Sequence, residues 1–294
     1  MLNIVRSPKV DYERDLQFRL NRLNNLRFDP TLPSPHWREQ ISEAARLSIV
    51  EGKFLERSRQ AIAGRAAEAP TDPDSFIGWF EQLKYDGPGQ NDPLFPWLAE
   101  ECSMEQMKWF LTQEVAGEAG FEDLTALTQL KLPTRPKLEL ARNYWDEMGR
   151  GNPKAMHGPL LAALAEHLEL HPLPETTSTE SLALANTMAG LAANRRYAYQ
   201  SIGALGVIEM TAPGRSAATS AGLKRLGIKA GNRHYFALHA ILDIKHSIAW
   251  NSEAIEPLVS ENAAVAVAIA EGALMRLECG ARCFERYRRE FGLQ

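Results

Sequence analysis

Apolar residues recur at the spacing of helix faces along almost the whole chain. Near the start, Leu16, Leu20 and Leu23 form one stripe with charged residues around them, as expected for an amphipathic helix. No segment between turn dipeptides alternates apolar and polar residues at the period of a strand, and no Asn-Gly pair signals a hairpin. The pattern therefore predicts an all-α protein.

The predicted helices are separated by stretches rich in glycine, proline, asparagine or threonine. They cover residues 12–27, 37–67, 76–83, 103–130, 137–149, 154–170, 180–210, 215–226, 232–250 and 253–291. The expected connections are 69–75, which ends in an N-cap, 85–96 and 171–178. This organisation predicts one helical domain over 1–294, in which the helices of 1–97 wrap a core formed by 98–294.

Composition narrows the function classes without selecting one. The 294 residues are 45% apolar and 24% charged, and 33 basic against 37 acidic side chains give a net charge of −4. This balance provides no general attraction to nucleic acid or to an anionic membrane. Three cysteines are too few for a disulfide scaffold, and no charge-free apolar run approaches the roughly 20 residues of a membrane span. Because the start is charged and lacks a signal peptide, we expect a cytoplasmic protein with reduced thiols.

The strongest local signal is a pair of histidines and an aspartate at helical spacing. His239, Asp243 and His246 are separated by offsets of four and seven, which place the side chains within about 40° to 60° of one another on a helix. Most of the residues between them are apolar. Two imidazoles and a carboxylate that converge suit iron, manganese or zinc. The alternative is a pair of surface histidines near an aspartate.

Glu209 is the second signal, because it is the only formally charged residue between Arg196 and Arg215. Burying a lone carboxylate on an apolar helix costs several kcal/mol unless a cation or a metal compensates it. Pro213 and Gly214 follow closely. A structural salt bridge or a surface position at a helix end is therefore the alternative.

Glu147 and His157 form the third signal. Their offset of ten would not align them on a continuous helix. The glycines and the proline between them (Gly149, Gly151 and Pro153) predict a break that can turn His157 toward Glu147. The alternative is a helix end followed by an unrelated histidine.

Glu114 and Glu118 are four residues apart and share one helix face. Like charges at this spacing destabilise a helix slightly unless something separates or neutralises them. A solvated face is the alternative, and it is our first interpretation of Asp146 and Glu122.

Together these segments provide the carboxylates and imidazoles that a pair of iron or manganese ions in a helical bundle requires. These residues follow the order Glu, then Glu followed by His, then Glu, then His-x-x-x-Asp-x-x-His. This order resembles that of the heme-oxygenase-like diiron oxidases and oxygenases, also described as iron-containing redox enzymes. The resemblance covers roughly residues 98–291 and rests on three motifs. These are DEMGRG with His157, ALGVIE ending at Glu209, and HAILDIKH.

The resemblance implies a heme-oxygenase-like (TenA-like) helical bundle with extra N-terminal helices. It also implies seven metal ligands within the core of 98–294, with Glu118 as an alternative to the first of them. These ligands are Glu114, Glu147, His157, Glu209, His239, Asp243 and His246. No catalytic residue separate from the ligands is expected.

The implied activity is that of a non-heme dinuclear iron oxidoreductase. Such a protein uses two Fe(II) ions, or manganese, with dioxygen as co-substrate to oxidise a small organic substrate. The reaction would be N-oxygenation, oxidative carbon–carbon cleavage or desaturation. The alternative is a helical protein of the same fold that binds a metal or a small molecule without oxygenase turnover. The expected partner is a small-molecule substrate, with neither nucleic acid nor membrane, and a homodimer is an option.

Overall fold

Helices account for all the regular secondary structure in the part of the chain that the structure describes. The structure is a computed structural model, and it describes residues 8–117 and 120–293. Its thirteen α-helices are α1 (Pro8–Phe28), α2 (Trp37–Ala66), α3 (Pro73–Asp86), α4 (Leu94–Glu100), α5 (Met104–Gly117), α6 (Phe121–Thr128), α7 (Thr134–Glu147), α8 (His157–His167), α9 (Thr179–Ala193), α10 (Ala198–Arg225), α11 (His234–Ala249), α12 (Glu256–Glu261) and α13 (Val265–Phe291). Short 3-10 helices lie at Gly149–Gly151, Pro153–Ala155 and Arg195–Tyr197, and a π-helix lies at Trp250–Ile255. No described helix is both long and apolar enough to cross a membrane. The predicted all-α class is confirmed.

Two of the long predicted helices are broken at asparagines, which the prediction missed. Asn194 separates α9 from α10, and its side chain accepts a hydrogen bond from Arg196 N at 3.2 Å. Asn262 separates α12 from α13, and its side chain accepts from Ala264 N at 3.1 Å. Local bonds of this kind compete with the helical backbone pattern. The predicted helix 103–130 is also interrupted, and α6 begins after Gly120, whose φ of 67° is left-handed.

The prediction of a helix end before Pro213 was wrong. Helix α10 runs without interruption from Ala198 to Arg225 and contains Pro213 as a buried residue. Proline has no N–H to donate to the carbonyl four residues earlier, which belongs here to Glu209, and it costs about 3 kcal/mol inside a helix. Packing of the largely buried helix offsets this local cost.

Helices α10 and α13 cross at very short distance and form the centre of the bundle. A Cβ on Gly203 would lie 1.9 Å from the carbonyl oxygen of Ile269, and a Cβ on Gly272 would lie 1.8 Å from the carbonyl oxygen of Gln200. Only glycine permits this approach of two backbones. Helices α4, α9 and α11 also pack on α10, and the buried apolar side chains join in one continuous core.

The N-terminal helices pack against this central group. Helix α1 contacts α2 and α9, and α2 also contacts α13. Leu16 and Leu20 of α1 belong to the common core. Asn186 of α9 donates its side-chain N–H to the carbonyl oxygen of Gln17 at 3.0 Å. These contacts support the helices that carry the candidate site without contributing to it.

Candidate metal centre

Five side chains from four helices bring metal-ligand atoms together in two groups. In the first group, one ligand atom each from Glu147, His157 and His239 lie within 4.8 Å of one another. In the second group, the same holds for Glu147, Glu209 and His246. Glu147 belongs to both groups. Its carboxylate therefore connects the two groups.

The turn between α7 and α8 places Glu147 beside His157. Glu147 ends α7, and His157 begins α8. Gly149 has a left-handed φ of 60°, and a Cβ at this position would lie 2.5 Å from the backbone of Ala155. Because glycine allows both the conformation and the close approach, the chain reverses. As a result, His157 Nδ1 lies 2.5 Å from Glu147 Oε2, and the predicted break is present.

Glu209 is buried in the middle of α10. The side chain of Asn143 on α7 donates a hydrogen bond from Nδ2 to Glu209 Oε1 at 2.5 Å. This bond holds one carboxylate oxygen, while Oε2 lies 3.4 Å from His246 Nδ1. Glu209 thus lies inside the bundle and is not at an exposed helix end.

His239 has a defined orientation on α11. Its Nδ1 lies 2.8 Å from the backbone carbonyl oxygen of Tyr235, one turn earlier. A carbonyl oxygen only accepts hydrogen bonds, so Nδ1 carries the proton and donates. The other ring nitrogen, Nε2, keeps the lone pair that a metal ion requires. The ring centroid lies 4.5 Å from that of His157.

His246 lies between two carboxylates. Its Nε2 lies 3.1 Å from Asp146 Oδ2, and its Nδ1 lies 3.4 Å from Glu209 Oε2. Asp146 also accepts a hydrogen bond from Arg150 Nε at 2.6 Å. A histidine that donates one ring N–H to a carboxylate presents the other nitrogen to a metal in a fixed orientation. Asp146 therefore has the position of a residue that orients His246.

The crowding of carboxylates and imidazoles shifts their pKa values. Burial, followed by the negative charge of Glu209, raises the pKa of Glu147 well above its usual value. Burial is also the main cause that lowers the pKa of His157 and of His239 to about 4. Both histidines are therefore neutral at pH 7, as metal ligation requires. For His246, burial lowers the pKa, but the two neighbouring carboxylates outweigh it and raise the pKa to about 9.

The donor atoms of each group are of the kind that a metal ion binds. Among the described residues, His157 Nδ1 and His246 Nδ1 are buried without a hydrogen-bond partner. A buried donor or acceptor without a partner costs about 1–3 kcal/mol. Each of these nitrogens nevertheless lies beside a carboxylate oxygen, at 2.5 Å and 3.4 Å respectively. Imidazole nitrogen next to carboxylate oxygen is a ligand combination that suits iron, manganese and zinc.

Two further predicted ligands lie outside both groups but line one cavity together with members of the groups. Asp243, which is buried on α11, and Glu114 on α5 line a cavity of about 100 Å³ together with members of both groups. Glu114 Oε1 accepts a hydrogen bond from the hydroxyl of Tyr287 at 3.2 Å. The alternative first ligand, Glu118, lies outside the described residues.

Two carboxylates that we first interpreted as solvent-facing lie next to the candidate centre. Asp146 contacts His246, as described above. The carboxylate of Glu122 approaches the start of α8 so closely that a Cβ on Gly158 would lie 2.8 Å from Glu122 Oε1. Its negative charge also contributes to the pKa values of Glu147 and His157. The sequence signal for both residues is weak, because each also suits an exposed helix end.

Comparison with known proteins assigns the chain to a family. The sequence model of a family described as iron-containing redox enzyme matches residues 108–281. The match covers more than half of the chain and includes all seven predicted ligands. A search of curated proteins gives no significant match. The match supports the heme-oxygenase-like all-α fold, and the chain belongs to the family of iron-containing redox enzymes.

Proposed function

We propose that this chain is a dinuclear non-heme iron enzyme that uses dioxygen to oxidise a small organic substrate. The observation that carries the proposal is that Glu147 is shared by two groups of nitrogen and oxygen ligands. Each group would hold one metal ion, and helical bundles hold two irons by glutamates and histidines that project inward from facing helices. Membership of an iron-containing redox family supports iron as the metal.

The proposed ligand set follows from the two groups. Glu147, His157 and His239 would hold one metal ion, and Glu147, Glu209 and His246 would hold the other. Asp243 completes the set on α11, because it lies in the same cavity and between the two histidines of that helix.

One carboxylate ligand of the proposed set remains to be assigned. The candidates are Glu122 and Glu114, and their surroundings differ. Glu122 lies against the first turn of α8, next to His157. Glu114 instead accepts a hydrogen bond from Tyr287. We therefore propose that Glu122, rather than Glu114, supplies the carboxylate on the His157 side.

When bound, two ferrous ions supply electrons and open coordination positions for the activation of dioxygen. The chain's own residues orient the ligands and enclose the space beside them. Asn143 holds Glu209 at 2.5 Å, and Asp146 holds His246 at 3.1 Å. The cavity of about 100 Å³ opens directly onto Glu147 and Glu209. A substrate bound there lies next to the metals, and its own structure selects N-oxygenation, carbon–carbon cleavage or desaturation.

The test is to load the metal-free chain with Fe(II) under anaerobic conditions and then to expose it to air. We expect two irons per chain, consumption of dioxygen and a transient visible absorption. Glu147→Gln and His239→Ala should lower the iron content. His234→Ala is the matched control, because His234 lies exposed at the start of the same helix and outside both ligand groups.

Two results would contradict the proposal in different ways. If the chain binds only a trace of iron and His239→Ala changes nothing, the metal centre itself is wrong. If two irons bind but no dioxygen is consumed with any substrate, the chain is a metal-binding protein of this fold without oxygenase turnover. If the chain bound manganese more tightly than iron and were active with it, manganese would be the metal of the proposed centre.

A further inference from the structure

Two arginines from different helices line the same cavity as the proposed metal ligands. Arg215 extends from α10 and Arg276 extends from α13. Arg215 lies about 9 Å beyond Glu209 along the axis of α10, which is nearly two helix turns. The cavity is therefore lined by two positively charged groups as well as by carboxylates of the proposed centre.

Hydrogen bonds within the protein leave these guanidinium groups partly unpaired. Arg276 Nε is buried without a hydrogen-bond partner among the described residues. Arg215 Nη2 donates to the hydroxyl oxygen of Thr211 at 3.0 Å, which is a neutral acceptor. Burial, followed by the positive charge of Arg276, lowers the pKa of Arg215 to about 9. The two positive charges therefore lie close enough to repel each other inside the protein.

Among the described residues, two carboxylates, Glu114 and Asp243, act on Arg215. Burial raises the pKa of Glu114, while the charges of Arg215 and Arg276 oppose that change. Asp243 also acts on Arg215, but its charge belongs to the proposed metal centre. If Asp243 serves the proposed metal centre, Glu114 is the one carboxylate among the described residues left to act on both guanidinium groups, and an anionic ligand would compensate the remaining positive charge.

We infer that Arg215 and Arg276 bind the carboxylate of a small organic acid, which is the substrate class of the enzyme. The inference rests on the proposed function, because it concerns the same cavity. A guanidinium group can donate two parallel N–H bonds to the two oxygens of a carboxylate, and such charge-assisted bonds are about twice as strong as neutral ones.

The remaining wall of the cavity suits the hydrocarbon part of such an acid. It includes the apolar side chains of Phe121, Ile208, Phe236 and Phe284. A volume of about 100 Å³ is smaller than that of a cavity of about 150 Å³ that binds benzene. The acid is therefore short, with its carboxylate at the arginines and its apolar carbons next to the metal ligands.

The test is a calorimetric titration of the anaerobic, iron-loaded chain with butyrate and with butyramide, which has nearly the same shape and no charge. We expect butyrate to bind at least about tenfold more tightly. Arg215→Gln and Arg276→Gln should each weaken butyrate binding by about tenfold or more without changing the iron content. Arg282→Gln is the matched control on α13, since this exposed arginine pairs with Glu278 at 3.6 Å. It should bind butyrate like the wild type.

Equal affinities for butyrate and butyramide would overturn the inference. Unchanged butyrate binding in both glutamine variants would do so as well, because direct ligation to iron would then explain the binding. Tighter binding of inorganic phosphate than of butyrate would assign the arginines to a different anion. If the glutamine variants do not fold, Arg215→Lys and Arg276→Lys keep the charge and remove the fork, and both should still weaken butyrate binding.

The same titrations on the metal-free chain separate this inference from the proposed function. Butyrate binding that depends on the arginines in a chain that takes up no iron contradicts the proposed function alone. Iron uptake and dioxygen consumption without a preference for butyrate over butyramide contradict the present inference alone.

Discussion

His246 Nε2 lies 3.1 Å from Asp146 Oδ2, while His246 Nδ1 lies 3.4 Å from Glu209 Oε2. The imidazole thus connects the end of α7 with the middle of α10. Glu209 belongs to a ligand group, whereas Asp146 lies outside both groups. One ring nitrogen therefore faces the proposed metal and the other faces a carboxylate that fixes the ring.

This relationship predicts that Asp146→Asn weakens iron binding while the fold is retained. Loss of the carboxylate removes the charge that holds the His246 ring, and changes of this type lower metal affinity by about 10- to 100-fold. An anaerobic Fe(II) titration measures the effect. Asp74→Asn, at an exposed position in the first turn of α3, is the control and should bind like the wild type. If Asp146→Asn bound iron as tightly as the wild type, the result would contradict a positioning role for Asp146.

Glu122 and Glu114 make opposite predictions about the iron content. Because Glu122 lies beside His157 and Glu114 bonds to Tyr287, we expect Glu122→Gln to retain about one iron per chain and Glu114→Gln to retain two. Metal analysis after anaerobic loading measures both. Asp123→Asn is the matched control, since Asp123 is the exposed neighbour of Glu122 in α6. The reverse result would restore Glu114 as the first ligand.

The stability of the metal-free chain should fall as the pH rises from about 6.5 to 9. The pKa of His246 is about 9 in the folded chain and about 6.5 in an unfolded one. A raised folded-state pKa stabilises the fold fully below pH 6.5, and this contribution is lost as the pH rises through 9. His157 and His239, with folded pKa values of about 4, oppose this slope near pH 6.5, because an unfolded histidine is still half protonated there. Together they add back less than about 1 kcal/mol as the pH rises, so the loss from His246 dominates.

We expect the free energy of unfolding of the metal-free chain to decrease by up to about 3 kcal/mol over this pH range. Urea denaturation at several pH values measures it. The slope should be much smaller in His246→Gln and in the iron-loaded chain, where a metal takes the place of the proton. A flat profile for the metal-free wild type would show that His246 has an ordinary pKa.

Features that depend on neighbours in the sequence could be predicted. The spacing of His239, Asp243 and His246 placed them on one helix, because the helical period is fixed. The glycines and the proline after Glu147 indicated the turn that returns His157 to it. Both predictions required only local geometry.

Features that depend on contacts between helices could not be predicted. Asp146 precedes Glu147 by one residue, and about 100° separates them around a helix, so the pattern alone cannot place both near one centre. Glu122 approaches the first turn of α8, at Gly158, only through the tertiary fold. The breaks at Asn194 and Asn262 depend on single side-chain hydrogen bonds within segments whose alanine and leucine content favours a helix.

The close crossing of α10 and α13 predicts a large loss of stability in Gly272→Ala. The added Cβ would lie 1.8 Å from the carbonyl oxygen of Gln200, which cannot move without moving the backbone. Overpacking of this kind costs about 3 kcal/mol or more. Gly214→Ala is the control, because Gly214 lies within α10 and has no neighbour within 4 Å. It should stabilise the chain by about 0.5–1 kcal/mol. Urea denaturation compares the two, and similar stabilities would show that the helices separate at little cost.

Metal removal should loosen α11 more than the other core helices. Of its sixteen residues, only Tyr235, Phe236, Asp243 and His246 are buried, so few apolar contacts hold it. Without cations, the carboxylates of Glu147, Glu209 and Asp243 also repel one another in a buried place. We expect amide hydrogen exchange within α11 to be faster in the metal-free chain than in the iron-loaded chain. α9, whose buried residues contact α1 and α13, provides the internal control and should exchange equally in both. Equal protection of α11 with and without iron would show that packing alone orders this helix.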